Sequence, residues 1–167
     1  KQKYDNYFCL IFILKNDNQS KEIILPAING DPRFSIKELD QKPSMQTLGN
    51  IVLNNCTTEY ILRLDADDRL DDYGLEILIN SADKDNMIAM LWGCFYYCSL
   101  DGEIYDISPY KTILSDRKTP PHGACTLLRT SALRSISGYD ETIQSQDGFD
   151  IWQRLKSIYK VQSIPQV

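Results

Sequence analysis

The chain is predicted to be an α/β domain, a mixed sheet flanked by helices, and three observations predict it. Short apolar runs bounded by turn residues alternate with segments of helical period through the first half. Asp101-Gly102, set between two strand-like runs, then signals a hairpin. An amphipathic helix follows over Phe149–Tyr159, with Ile151, Trp152, Leu155 and Ile158 on its inner face. Alternation followed by a hairpin is the pattern of a mixed sheet. The 167 residues read as a single domain, 1–167, long enough to bury a core.

Each element has its own warrant. Tyr7–Leu14, Glu22–Ile28 and Phe34–Leu39 are apolar or alternating runs punctuated by Asn16-Asp17-Asn18, Asn29-Gly30 and Asp31-Pro32, so each reads as a strand. Pro43 and Ser44 open a helix with Met45, Leu48, Val52 and Cys56 on one face. Tyr60–Leu64 is a buried strand. A helix over Gly74–Asn86 follows, turning Leu75, Leu78, Ile79 and Ala82 inward. Met90–Ser99 and Glu103–Ile107 make the hairpin, with Asp101-Gly102 suited to a type I′ turn. Thr130 caps a short helix that Gly138 ends, and Val161–Pro165 begins a last strand. No repeat, low-complexity tract or linker interrupts this order.

Composition excludes several function classes. Hydrophobic content of 43% beside 25% charged residues is that of a soluble globular chain. A net charge of −5 argues against a nucleic-acid binder, which would carry a basic stripe. The five cysteines are odd in number and lack C-x-x-C spacing, as in reduced thiols of a cytoplasmic protein. Zinc on Cys94, Cys98, His122 and Cys125 fails on reach. Four residues of extended chain span roughly 13 Å, too far for two Zn–S bonds of about 2.3 Å without a bend. The apolar run Phe8–Leu14 is too short to cross a bilayer, which leaves only a peripheral membrane association open.

The acid is concentrated. Six of the 23 acidic residues fall between Asp65 and Glu76, and Asp65-Ala66-Asp67-Asp68 leaves directly off the run Tyr60–Leu64. Carboxylates crowded at a strand end repel one another unless a cation sits there. Mg²⁺ and similar hard ions take such oxygen ligands, commonly one or two carboxylates together with substrate phosphates. A purely structural alternative has Asp67, Asp68, Asp71 and Asp72 solvating a turn ahead of a helix whose dipole favours them. An EF-hand reading places Asp65, Asp67, Asp71 and Glu76 at loop positions 1, 3, 7 and 12, but Arg69 displaces a ligand and Leu70 the required glycine. A haloacid-dehalogenase phosphatase would want Thr or Val at Arg69.

A second group of residues decides between these. His122-Gly123-Ala124-Cys125 leads into Thr126-Leu127-Leu128-Arg129. Then come Ser137-Gly138-Tyr139-Asp140-Glu141 and Gln146-Asp147-Gly148-Phe149-Asp150-Ile151-Trp152-Gln153-Arg154. With the D-A-D-D strand end, the order resembles that of the inverting glycosyltransferases of family 2, with a GT-A fold. The likeness covers roughly Thr47 to Arg154. It implies a metal-dependent enzyme that moves a sugar from a nucleotide-sugar donor to a glycan or lipid-linked acceptor, as in cell-surface polysaccharide assembly. It further implies a cytoplasmic place, at the inner face of the membrane.

Carried over by position, Asp65 faces the nucleotide's ribose, and Asp67 with Asp68 holds Mn²⁺ or Mg²⁺ on the diphosphate. Arg154 contacts the donor. His122, the single histidine, lies in a loop after Pro120-Pro121 and reads either as a contact to donor phosphate or acceptor or as a surface or packing residue. The general base is Asp147 when the motif is aligned from Gln146 forwards, with Asp150 as its substitute. Aligned backwards from Trp152, the base position falls on Gly148, whose permissive backbone could turn Asp147 into place. Such chemistry needs these parts: a cation to neutralise the departing diphosphate and a carboxylate to take the acceptor's proton.

The amino terminus departs from the family. Its first strand should end in P-x-Y-N, followed by a helix and then a strand ending in D-D-x-S. Lys15-Asn16-Asp17 and Asn29-Gly30-Asp31 are remnants of these, and the first helix is expected to be missing, as in a shortened domain. A non-catalytic binding or assembly module of the same fold is the competing reading. Among single residues, Arg63 inside an apolar strand calls for a partner carboxylate, and Trp152 belongs to the core. Trp92 suits the core or an acceptor platform. One of Tyr96 and Tyr97 should face solvent, because neighbours on a strand alternate.

Overall fold

A computed structural model describes residues 2–99, 101–107, 123–143, 145 and 147–165. The chain divides into two compact units, one of Tyr4–Pro43 and one of Lys1–Lys3 with Ser44–Val167.

The smaller unit is a βαβ crossover. Strand β1 (Cys9–Leu14) pairs in parallel with β2 (Phe34–Leu39), Cys9 opposite Phe34 through Leu14 opposite Leu39. The connection is helix α1, Asn18–Ile28. The strand expected over Glu22–Ile28 is therefore helical, and the first helix is present rather than missing. The overlooked signal was its cap: the Asp17 carboxylate accepts from the Ser20 N–H at 2.9 Å and from the Ser20 hydroxyl at 2.6 Å. Asn29-Gly30 ends the helix, Asn29 at φ 43° and Gly30 at φ 70°. Asp31 binds Arg33, whose guanidinium also lies 4.9 Å from the centre of the Tyr7 ring. The acid that follows β2 is Asp40, paired with Lys15 of the loop after β1. Asp31 is thus not the remnant of the family's second acidic motif; Asp40 holds that place in the chain.

The larger unit is built on a mixed four-stranded sheet in the order β3-β7-β4-β8. These strands are Tyr60–Leu62, Thr126–Arg129, Ile88–Trp92 and Lys160–Ser163. The two centre strands, β7 and β4, are buried at every position, as strands covered on both faces must be. On one side pack Leu53 of α2 (Met45–Asn55), Ala132 and Leu133 of α4 (Thr130–Ser135), and Ile151, Trp152 and Leu155 of α5 (Asp147–Leu155). On the other lie Leu78 and Ala82 of α3 (Gly74–Ala82). Trp92 is 4% exposed and belongs to the first of these cores, not to an open platform.

Several boundaries shift for local reasons. Ser44 caps α2 as expected, its hydroxyl accepting from the Thr47 N–H at 3.1 Å. Thr130 is the first residue of α4 rather than its cap, and its hydroxyl makes no cap bond. Gly138, at φ 73°, closes that helix by donating to the Leu133 carbonyl. Ile158 lies beyond the end of α5 and is exposed. The expected Met90–Ser99 strand breaks after Trp92, so that β5 (Tyr96–Cys98) and β6 (Ile104–Ile107) form a separate hairpin. Ser99 N–H donates to the Glu103 carbonyl and Gly102 N–H to that of Ser99. The loop is thus three residues long with Gly102 left-handed at φ 85°, not a two-residue type I′ turn. Both Tyr96 and Tyr97 are 44% exposed, where one was expected to face solvent.

Candidate functional site

Strand β3 delivers the acidic turn. Beyond Leu62 one more bond links the two chains, Cys125 N–H to the Arg63 carbonyl at 2.7 Å, one residue out of the β3–β7 register, with Cys125 left-handed at φ 54°. The chain then folds tightly, the Asp68 N–H donating to the Asp65 carbonyl at 3.1 Å, which puts Ala66 and Asp67 at the tip of a turn. Arg63 finds its carboxylate partner in Asp65, Nε to Oδ1 at 3.0 Å and Nη2 to Oδ2 at 3.4 Å. Asp67 and Asp68 are exposed, and neither side chain has a hydrogen bond or ion pair among the described residues. Cys125 reports on this field. Burial, then the carboxylates of Asp68 and Asp65, push its thiol up to about 11. Such a thiol stays protonated and is a poor nucleophile at neutral pH.

The second acidic group is carried by α5. Asp147 is the helix's first residue and Gly148 its second, so the glycine extends a helical turn instead of forming a bend that re-aims Asp147. Asp150, one turn on, is held by Arg154, whose Nε lies 3.1 and 3.0 Å from its two oxygens and whose Nη1 donates to the Ile136 carbonyl at 2.8 Å. Both oxygens of Asp150 are therefore engaged in an i, i+4 pair, and Arg154 spends its guanidinium on that pair and on the end of α4. Beside them lies a shallow depression lined by Ile143, Ser145, Phe149, Asp150 and Gln153.

The Ser137–Glu141 segment is held against α2. The Asn50 amide of α2 accepts from the Tyr139 N–H at 2.8 Å and donates to the Tyr139 carbonyl at 2.9 Å and to Glu141 at 2.8 Å. Thr47 donates to the other Glu141 oxygen at 2.8 Å. These bonds, Asn50 first, hold the Glu141 carboxyl below its ordinary value. A Cβ on Gly49 would stand 2.5 Å from the Tyr139 ring, so only glycine lets that ring lie on α2. Sequence reading passed over Thr47, Gly49 and Asn50; a glycine inside a helical pattern was the available signal.

The expected site residues thus fall into two sets. Asp65, Asp67 and Asp68 share one turn, while Asp147 and Asp150 stand in the first turn of α5 and Arg154 in its last. His122 lies outside the described residues, as does the side chain of Asp147. No three His, Cys, Asp or Glu side chains are gathered as a ligand set among the described residues. None of the described helices is long and apolar enough to cross a membrane.

Solved structures share this architecture. Staphylococcus aureus TarS, residues 1–349, superimposes with a TM-score of 0.72 at 14% identity, over 99% of this chain and 51% of that one. The mannosyltransferase PcManGT from Pyrobaculum calidifontis, in complex with GDP-Man and Mn²⁺, gives 0.76 at 13% identity, over 98% and 48%. The chain therefore has the GT-A-type glycosyltransferase fold and spans about half the length of these relatives. No curated protein matches it significantly in sequence. The sequence profile of Glycosyl transferase family 2 matches residues 1–136, more than half of the chain, and the chain belongs to that family.

Proposed function

We propose that this chain carries out metal-dependent transfer of a sugar, with inversion, from a nucleotide-sugar donor to a glycan or lipid-linked acceptor. The observation that carries the reading is the turn after β3, where two exposed carboxylates stand without a protein partner among the described residues. The donor set suits Mg²⁺ or Mn²⁺: hard oxygens, few in number, to be completed by phosphate and water. Asp67, with Asp68, would hold the ion, which when bound neutralises negative charge on the diphosphate. The relative crystallised with GDP-Man and Mn²⁺ supports the same ligand classes here. Asp65, already oriented by Arg63, would accept a hydrogen bond from the ribose, and His122 would contact the donor.

For the base, Asp147 is the better candidate. Asp150 has both oxygens committed to Arg154, so proton uptake there would cost a charged pair. Asp150 and Arg154 then act as positioning residues that tie α5 to the end of α4, rather than as a base and a donor contact. Work in cell-surface polysaccharide assembly, at the inner face of the membrane, completes the proposal.

Nucleoside diphosphates tested by thermal shift with and without Mn²⁺ give the direct check, because a ligand of the folded state raises its melting temperature. UDP, GDP or CDP should stabilise the chain only when metal is present. Stabilisation by none of them, or equal stabilisation without metal, overturns the donor reading. Hydrolysis of the matching nucleotide-sugar then separates an enzyme from a binding module.

A further inference from the structure

The hairpin of β5 and β6 carries a surface that the transfer reaction as described leaves unused. Phe95 and Tyr97 lie two residues apart and so on one face, their rings edge to face at 5.2 Å. A register shift between Tyr97 and Cys98 brings Tyr105 alongside, its ring stacked on Tyr97 at 6.3 Å and 28°. Yet Tyr97 is 44% exposed and Tyr105 71%, with Ile104 at 60%. A two-stranded hairpin gains little by baring aromatic rings to water, and such a patch ordinarily meets a ligand.

Charge and position narrow the occupant. Every charged residue between Gly93 and Ile107 is acidic, namely Asp101, Glu103 and Asp106. That field repels phosphate polymers, nucleic acid and anionic lipid, while flat rings with hydroxyl rims suit the C–H faces and hydroxyls of an uncharged sugar. The hairpin tip also touches the acidic turn. A Cβ on Gly102 would stand 2.9 Å from Nη1 of Arg69, the residue after Asp68. The hairpin that bears the rings is thus anchored at its tip by the residue next to the turn where the donor diphosphate is proposed to dock.

We infer that the aromatic face of the hairpin, with Tyr97 and Tyr105 at its centre, binds the neutral saccharide end of the acceptor. The assignment to acceptor rests on the donor reading above, whereas binding of a neutral glycan does not. The Arg69–Gly102 contact sets the spacing between acceptor platform and donor turn.

Calorimetry on the full chain with neutral hexasaccharides of glucose, mannose and N-acetylglucosamine, and with polyphosphate as the anionic control, tests it. At least one hexasaccharide should bind and polyphosphate should not. Tyr97→Ala and Tyr105→Ala should each weaken that binding tenfold or more, Tyr97→Phe should retain it, and the thermal shift from nucleoside diphosphate with Mn²⁺ should not move. Binding of none of the hexasaccharides, binding untouched by both alanine variants, or preference for polyphosphate overturns the inference. So does a concentration-dependent dimer that Tyr105→Ala dissociates without loss of glycan affinity, since the face then belongs to a second copy. Glycan binding lost in the alanine variants, in a chain that shows no metal-dependent nucleotide shift, upholds the platform and sinks the donor reading instead.

Discussion

Glu59 precedes β3 and Asp65 follows it, and the two ends of this short strand treat charge differently. At the first end Arg129 is buried at 7% exposure, its Nη1 paired with Glu59, its Nε donating to the Ile88 carbonyl and its Nη2 to the Ala82 carbonyl, each of the last two at 3.0 Å. The Tyr60 ring lies beneath it at 4.8 Å. At the other end Arg63 pairs with Asp65 of the acidic turn, while Asp67 and Asp68 stay exposed and unmatched among the described residues. One end locks the sheet to α3 and β4. The other leaves its negative charge exposed, where the proposed donor and metal would dock. Substitutions at the two ends should therefore separate stability from function.

The largest effect belongs to the acid that opens α5. Asp147→Asn should lower transfer about 10²–10⁴-fold, the usual contribution of a general base, and leave nucleotide affinity unchanged. Steady-state kinetics beside calorimetry will read this, and a greater loss in Asp150→Asn would move the base to that residue. Next in size is Arg129→Met, which takes a buried donor away from the Ile88 and Ala82 carbonyls and its partner from the Glu59 carboxylate. Urea denaturation should show a loss of about 3 kcal/mol, with metal-dependent nucleotide binding intact at concentrations where the protein is folded.

Asp67→Asn tests the opposite end. Metal-dependent affinity for nucleoside diphosphate should fall about 10–100-fold, while stability stays within about 0.5 kcal/mol, as for an exposed position. An equal loss of stability at Asp67 and Arg129 would erase the contrast. The smallest effect is at Glu141, whose carboxyl is held below its ordinary value of 4.5 by Asn50 and Thr47. A depressed value stabilises the fold above that pH and is lost as pH falls through it. The stability gap between parent and Glu141→Gln should thus close below about pH 4.5, as read from thermal melts in acetate and formate buffers.

Sequence alone carried the larger unit well, because β3, α2, α3 and α5 each combine a clear period with a boundary residue. It failed where one pattern fits two structures. Glu22-Ile23-Ile24-Leu25 is apolar enough for a strand; the Asp17 cap and the left-handed pair Asn29-Gly30 decide for a helix, with Pro26 inside it. The hairpin was legible, but its three-residue loop was not, since Asp101-Gly102 serves either turn. At the site, the acidic turn was read from local sequence. The engagement of Asp150 by Arg154 and of Glu141 by Asn50 depends on side-chain direction and contacts made across the fold, which no short motif encodes.

The seat of Tyr139 on Gly49 bears on how this domain can change over generations. With 2.5 Å between that ring and any methyl group added at 49, position 49 cannot drift while the ring stays. A lineage that acquires alanine at 49 must first, or soon after, trade the aromatic ring at 139 for something smaller. The intermediate would carry α2 pushed away from the segment that leads to Asp147. Related sequences should accordingly keep the glycine wherever they keep the tyrosine, an inherited dependence 90 residues apart in the chain.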